Sequence, residues 1–256
     1  CWWGLSPRLH PSDFALNTRY GVGVDWPIGY DDLAEYYAEA ERIMLVAGPN
    51  DLGAVYPGAS PYPAPAHRFT SADRMLKQQM PDRHFAIPCA RLRQPLGARG
   101  ACCATANCHL CPQDAKFTAL NSLNGVLSDP RVEIVIGAKV DRLDTEAGRV
   151  RGAAFSKDGR DYLARGDLFV LGANAIYSPW IMLRSGLGGH GLGRYLCEKM
   201  LVYVEVKLDG LKHFDGGTAT TGFNVSLLDG EHRRDRGAAL MLIENRMVDG
   251  LRPEWG

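Results

Sequence analysis

The sequence predicts a mixed helix-and-sheet fold, α/β in the α+β sense, and three observations carry that prediction. Leu33, Tyr36, Tyr37, Ala40, Ile43 and Met44 recur at helical spacing. Arg149 to Ser156 and Arg160 to Ala164 flank the turn Lys157-Asp158-Gly159, the pattern of a β-hairpin. Leu168-Phe169-Val170-Leu171 reads as a buried strand that runs straight into Gly172-Ala173-Asn174 and a helix from about Ser178 to Arg184.

The elements follow in order. Residues 1 to 30 are rich in aromatics and turns (Trp2, Trp3, Phe14, Tyr20, Trp26, Tyr30, with Pro7, Pro11 and Pro27), which suits irregular chain laid over other structure. Asp31 and Asp32 are cap candidates for the first long helix, and Gly48-Pro49-Asn50 stops it. Pro49, Pro57, Pro61, Pro63 and Pro65 make the next stretch a loop, partly polyproline-like. A short helix spans about Ala72 to Met80. Another is marked by Ala115, Leu120, Leu123 and Leu127 and ended by Asp129-Pro130. Val132 to Ile136 and Lys139 to Leu143 read as strands, as do Leu201 to Leu208, where Val202, Val204 and Val206 alternate, and Ala238 to Ile243. Pro179 suits the start of its helix, where a missing N–H costs little.

Composition excludes several classes. The 29 basic and 29 acidic side chains cancel, so the basic footprint of a nucleic-acid or membrane-surface binder is absent. A hydrophobic fraction of 46% supports a sizeable core. No run approaches the roughly 18 apolar residues of a spanning helix. The ends, Cys1-Trp2-Trp3-Gly4 and Arg252-Pro253-Glu254-Trp255-Gly256, read as those of an internal piece of a longer chain. No targeting segment is legible, so bacterial cytoplasm and periplasm stay open.

Four of the seven cysteines fall together as Cys102-Cys103-x4-Cys108-x2-Cys111-Pro112. Thiolates this close can wrap one small metal centre, and Cys-Pro closes such runs in ferredoxins. Zinc is the second candidate, although adjacent cysteines sit awkwardly in a tetrahedral site. A disulfide or packed thiols are the bland alternatives. Three weaker signals carry nothing. Gly186-Leu187-Gly188-Gly189-His190-Gly191 has dinucleotide-loop spacing but follows a helix, so it is a loop. Asn224-Val225-Ser226 is a glycosylation sequon of the kind that arises by chance, and His109 reads as solvated or packed.

Asn174-Ala175-Ile176-Tyr177-Ser178-Pro179-Trp180-Ile181-Met182-Leu183-Arg184-Ser185-Gly186-Leu187-Gly188 resembles the second signature of the glucose–methanol–choline (GMC) flavoprotein oxidoreductases. Asn174 stands where most members have Gly, a departure that sugar dehydrogenases of the family tolerate. Tyr20-Gly21-Val22-Gly23-Val24-Asp25-Trp26-Pro27-Ile28-Gly29-Tyr30-Asp31-Asp32-Leu33 is similar to the family segment after the flavin-covering loop. Trp3, Pro11, Asp13 and Phe14 resemble the lead-in of bacterial FAD-dependent glucose dehydrogenases. Trp2 occupies the place where pyranose oxidases carry the histidine joined to flavin, so that covalent link is not available here.

The resemblance implies residues 1–112 as flavin-covering segment, helix and cysteine-rich loop, 113–199 as part of a Rossmann-like FAD-binding domain, and 200–256 as the start of an antiparallel substrate-domain sheet. It implies FAD as cofactor, with Trp2, Trp3 and Gly4 near the isoalloxazine, Val140 near the adenine, and Ala173 and Asn174 near the ribose and pyrophosphate. For Val140 and Ala173, plain core packing is the alternative. The glucose dehydrogenases carry a similar cysteine run holding a [3Fe–4S] cluster. Cys102, Cys103, Cys108 and Cys111 are the corresponding candidate ligands, one residue shorter between the last two. Such a cluster passes electrons to an external acceptor, for which a cytochrome subunit is a candidate. The implied substrate is a sugar or other small-molecule alcohol, with no nucleic-acid partner. The catalytic base, a His with a second His or Asn in this family, is expected beyond residue 256. On this reading the 256 residues alone neither hold FAD tightly nor turn over substrate. A flavin oxidase with a structural cysteine loop, and a non-catalytic metal-binding electron carrier, are the rival readings.

Overall fold

The computed structural model describes residues 4–59, 61–105, 111–206, 208–210 and 218–244. In chain order these form a 3-10 turn at Pro11–Phe14, α1 (Leu16–Tyr20), α2 (Tyr30–Met44), β1 (Ala47–Gly48), a 3-10 turn at Leu52–Ala54, β2 (Ala64–Pro65), α3 (Ser71–Gln79), β3 (His84–Ala86), α4 (Ala119–Ser122), α5 (Asn124–Leu127), β4 (Lys139–Glu146), β5 (Arg149–Lys157), β6 (Arg160–Arg165), α6 (Asn174–Arg184), β7 (Thr220–Asn224), a 3-10 turn at Glu231–Arg234 and β8 (Met241–Glu244). The fold is mixed helix and sheet, as predicted. It divides into two compact units, Cys1–Ser128 with Leu208–Gly256, and Asp129–Lys207. No helix among the described residues is long and apolar enough to cross a membrane.

In the first unit, β3, β7 and β8 form an antiparallel sheet in that order, with Phe85 opposite Phe223 and Phe223 opposite Leu242. Phe14, Tyr30, Val46, Leu52, Tyr56, Phe85, Ile87 and Phe223 make up much of its core. Helix α2 begins at Tyr30, ahead of the expected cap positions Asp31 and Asp32: Gly29 is the N-cap, and Asp32 Oδ2, three residues on, accepts its N–H at 2.7 Å, satisfying a donor that the first turn leaves orphaned. Its buried edge carries Glu41, which takes both arms of the buried Arg8 guanidinium at 2.7 Å each. After α2 the chain pairs β1 with β2 in parallel, and the Tyr62 ring lies on Gly48 so closely that a Cβ there would fall 2.3 Å from it. Helix α3 starts with reciprocal caps. Asp73 N–H donates to Thr70 Oγ1 at 3.2 Å, and Thr70 N–H to Asp73 Oδ2 at 3.0 Å.

In the second unit, β4, β5 and β6 form an antiparallel meander whose β5–β6 turn is the predicted one, with Lys157 opposite Arg160. Helix α6 packs on β4. Ser185 Oγ accepts the Leu143 N–H at 2.8 Å, Arg184 pairs with Asp141 at 2.8 Å, and Leu143 and Ile181 are buried.

Five expectations, three strands and two helices, are corrected. The apolar runs 132–136, 168–171 and 201–206 form no ladder among the described residues, and Ile136, Leu168, Val170 and Val204 are 79–83% exposed. A run of strand-type residues becomes a strand only when a neighbour takes its backbone groups, and the β4–β6 meander does not. Helix α6 begins at Asn174, so Pro179 lies inside it rather than at its start. The Ala175 carbonyl thereby loses its i+4 donor, a loss water can offset because Ala175 is exposed. The helix expected to end at Asp129 is two short ones, α4 and α5.

Candidate functional site

The start of α6 is built by Asn174. Its φ of 65° lies in the left-handed region, which glycine enters freely and asparagine tolerates better than other residues. The family position that usually holds Gly is therefore one that the backbone restricts to Gly or Asn. Asn174 adds a cap: its Oδ1 accepts N–H groups from Ile176 at 2.8 Å and Tyr177 at 3.0 Å. The Ala173 N–H is drawn to Ser178 Oγ at 3.1 Å. Asn174→Val should destabilise the second unit by about 2–3 kcal/mol, adding backbone strain to a lost cap, whereas Asn174→Gly costs a few tenths. Chemical denaturation of the two variants against the parent checks this. Val140, half-buried, faces Phe155 across the β4–β5 ladder, and its neighbour Asp141 holds Arg184 at the other end of α6.

In the first unit, Gly4 is buried with φ 74°, and its carbonyl accepts the Ala90 N–H at 2.6 Å. Leu5 bridges Cys89 and Ser6 N–H reaches Pro88 O at 2.9 Å, so residues 4–6 run antiparallel to 88–90. Trp2 and Trp3 lie outside the described residues.

Residues 88–90 are also one side of the neck of the cysteine loop. Leu92 N–H donates to Ala115 O at 3.0 Å, Phe117 N–H to Ala90 O at 2.8 Å and Cys102 N–H to Leu92 O at 2.8 Å. Gly100 is forced by space, since a Cβ there would fall 2.4 Å from Gln113 O. Arg99 reaches through the neck: Nη1 donates to Met44 O, and Nη2 to Ala90 O and Ala115 O at 2.8 Å each. Cys102 and Cys111 are half-buried and Cys103 is exposed, while Cys108 and His109 lie outside the described residues. Among the described residues no three His, Cys, Asp or Glu side chains converge as a metal site. The Cys103 thiol is held below its ordinary pKa by the Thr105 hydroxyl 3.4 Å away. Burial pushes the Cys89 thiol up.

An open cleft of about 590 Å³ is lined by Pro11, Phe14, Ala15, residues 25–32 and Pro57, and so by the segment after the expected flavin cover. Two of the three weaker signals read as expected, and the third, His109, lies outside the described residues. Residues 186–191 are a loop, and Asn224 is 1% exposed on β7, out of reach of glycosylation. Sequence reasoning missed Arg8–Glu41, Asp73–His84 and Arg99. Each pairs residues through space with no local pattern to announce it.

Residues 86–201 match the family described as GMC oxidoreductase. The chain is 32% identical over 195 residues to the fructose dehydrogenase large subunit of Gluconobacter japonicus, covering 71% of this chain and 35% of that protein. It is 32% identical over 227 residues to the 6'''-hydroxyparomomycin C oxidase of Streptomyces lividus, covering 80% and 41%. It is 28% identical over 238 residues to the 2-methyl-1,2-propanediol dehydrogenase of Mycolicibacterium austroafricanum, covering 77% and 39%. The crystal structure of pyridoxine 4-oxidase from Mesorbium loti aligns with a TM-score of 0.42 at 21% identity, covering 73% of this chain and 35% of that one. The chain thus spans between about a third and two fifths of the length of these proteins.

Proposed function

The chain belongs to the GMC oxidoreductases, and on that premise we propose that its protein oxidises the CH–OH group of a sugar or other alcohol with FAD and passes the electrons to an external acceptor. The observation that carries this reading is the neck. Gly4, the described member of the isoalloxazine-side candidates, is hydrogen-bonded to Ala90, and Ala90 closes the cysteine loop through Phe117 and Arg99. A flavin-side backbone and a thiol-rich loop built on the same three residues suit an electron path from one to the other.

FAD, when bound, supplies the hydride acceptor. The chain's own groups bind and orient. In this proposal Ala173 and Asn174 set the small-residue turn against the ribose and pyrophosphate, Val140 packs at the adenine, and Trp2, Trp3 and Gly4 border the isoalloxazine. Cys102, Cys103, Cys108 and Cys111 are proposed to hold an iron–sulfur cluster. Soft thiolate chemistry at this spacing supports that reading. A domain order of flavin cover with cysteine loop (1–112), part of the FAD domain (113–199) and start of the substrate sheet (200–256) belongs to the same proposal. The fructose dehydrogenase relative is named as a large subunit, which supports a partner subunit, a cytochrome among the candidates, as the acceptor.

A second reading rests on the relatives named as oxidases: the same oxidation with oxygen as acceptor and the cysteine loop purely structural. Anaerobic addition of D-fructose, amino sugars and short diols to the protein tests both. Substrate-dependent bleaching of the flavin absorption supports alcohol oxidation, and its absence with every donor class removes it. Recovery of the colour by ferricyanide but only slowly by air supports the dehydrogenase, whereas recovery within seconds in air supports the oxidase.

A further inference from the structure

His10 and Ser12 form a local knot whose donors converge on one ring nitrogen. The Ser12 N–H reaches His10 Nδ1 at 3.2 Å, and Ser12 Oγ lies 2.7 Å from the same nitrogen. A backbone N–H can only donate, so Nδ1 is an acceptor and the ring is neutral, with its proton on Nε2. Arg233 Nη1 donates to Ser12 Oγ at 2.8 Å, which leaves the hydroxyl proton for Nδ1. The other arm of Arg233 meets Asp13 Oδ1 at 2.9 Å, and its guanidinium lies 5.0 Å from the Tyr20 ring. Asp13 Oδ2 accepts the His10 N–H at 2.9 Å. Arg233 stands in the turn Glu231–Arg234, on the connection between β7 and β8. The relay from Arg233 through Ser12 to His10 thus fastens that connection to the Pro11–Phe14 turn, although Ser12 and Arg233 lie 221 positions apart.

We propose that this relay is a pH-operated clamp: neutral His10 holds the β7–β8 connection in place, and protonation of the ring loosens it. A proton on Nδ1 turns the shared acceptor into a donor. The Ser12 amide loses its acceptor there, and the hydroxyl must turn away from the ring although Ser12 is fully buried. Among the described residues that hydroxyl bonds only His10 and Arg233, so once turned it is a buried donor without a partner. The new charge also meets the groups that face the ring: Arg19 and Arg233 repel it, while Asp13 and Asp229 attract it. Both carboxylates are already engaged. Asp13 holds Arg233 and the His10 N–H, and Asp229 holds the Tyr20 hydroxyl and Arg19. Burial keeps the ring below its ordinary pKa of about 6.5. The unfolded chain therefore takes up the proton first as pH falls. The clamp's contribution is complete above about pH 6.5 and is lost as the pH passes down through the folded value. Pro11 and Phe14 of the clamped turn also line the open cleft, so the state of the clamp reaches that wall.

The test follows hydrogen exchange at the amides of Arg233 and Arg236, which bond the carbonyls of Gly230 and His232. Exchange is read at about pH 7.5 and about pH 5.5, corrected for the intrinsic rates, in the protein and in its His10→Asn variant. Asparagine keeps an acceptor at the cap position and cannot take up a proton. The expected result is protection that falls about tenfold on acidification in the parent and does not change in His10→Asn. Equal protection of the parent at the two pH values overturns the clamp. So does a His10→Asn variant that loses protection on acidification as the parent does. Should His10→Asn not fold, the ring resonances of labelled His10 in the parent decide. A titration midpoint below about 6.5 that coincides with faster exchange at Arg233 and Arg236 supports the clamp. A ring that titrates at or above that value, or with no change in that exchange, overturns it.

Discussion

Glu41→Ala should destabilise the first unit by about 3–5 kcal/mol, a large share of the roughly 5–15 kcal/mol that holds a typical domain folded. The Arg8 side chain is 1% exposed and gives two parallel hydrogen bonds to Glu41, a third to Tyr30 at 3.1 Å and its face to the Tyr37 ring at 5.4 Å. Removing the carboxylate strands a guanidinium that cannot shed its proton and has no path to water. The pair itself is worth much less than its breakage costs, because both ions were desolvated to make it. The double variant Arg8→Met with Glu41→Leu should therefore lie well above Glu41→Ala in urea midpoint. A double variant as unstable as the single one would mean that Arg8 and Glu41 do not act as a pair.

Gly222→Ala should cost a similar amount, about 3–5 kcal/mol, although it adds one methyl group. The methyl would stand 2.1 Å from Asp73 Oδ1 and 2.6 Å from His84 Nε2. Both groups are fully buried, and the His84 Nε2–H donates to Asp73 Oδ1 at 3.0 Å. Asp73 also accepts from the Thr70 hydroxyl at 2.8 Å and from the Thr221 hydroxyl, so one carboxylate ties the start of α3 to β3 and β7. Room for the methyl comes only from breaking that knot, which leaves a buried charge without donors. Denaturant unfolding of Gly222→Ala and Asp73→Asn checks this. Near-parental midpoints for both would remove the knot from the account of stability.

Much of the fold was legible because local pattern decides it. The Lys157-Asp158-Gly159 turn, the acidic residues opening α2 and the strand-like hairpin residues lie within a few positions of the groups they serve. The left-handed Asn174 was legible as the one departure from a glycine signature. The cysteine loop was legible as a spacing, yet its neck was not. Arg99 and its carbonyl partners span residues 44 to 115, and nothing in the wording of either end points to the other. Strand β7, Thr-Thr-Gly-Phe-Asn, has no apolar run; it is buried because Thr221 meets Asp73, 148 positions away. The runs 132–136, 168–171 and 201–206 show the converse. Their residues are strand-like, but pairing is a property of neighbours, which no single segment encodes.

The proposed function is that of a flavin-dependent oxidoreductase with no histidine link to the flavin at the Trp2 position and with electrons leaving through the cysteine loop. An absorption spectrum of the protein, followed by acid precipitation and iron analysis, tests it most directly. The expected result is flavin bands, with the flavin released into the supernatant on precipitation and iron bound in the native protein. A spectrum without flavin, flavin that stays with the precipitate, or a native protein free of iron would contradict it.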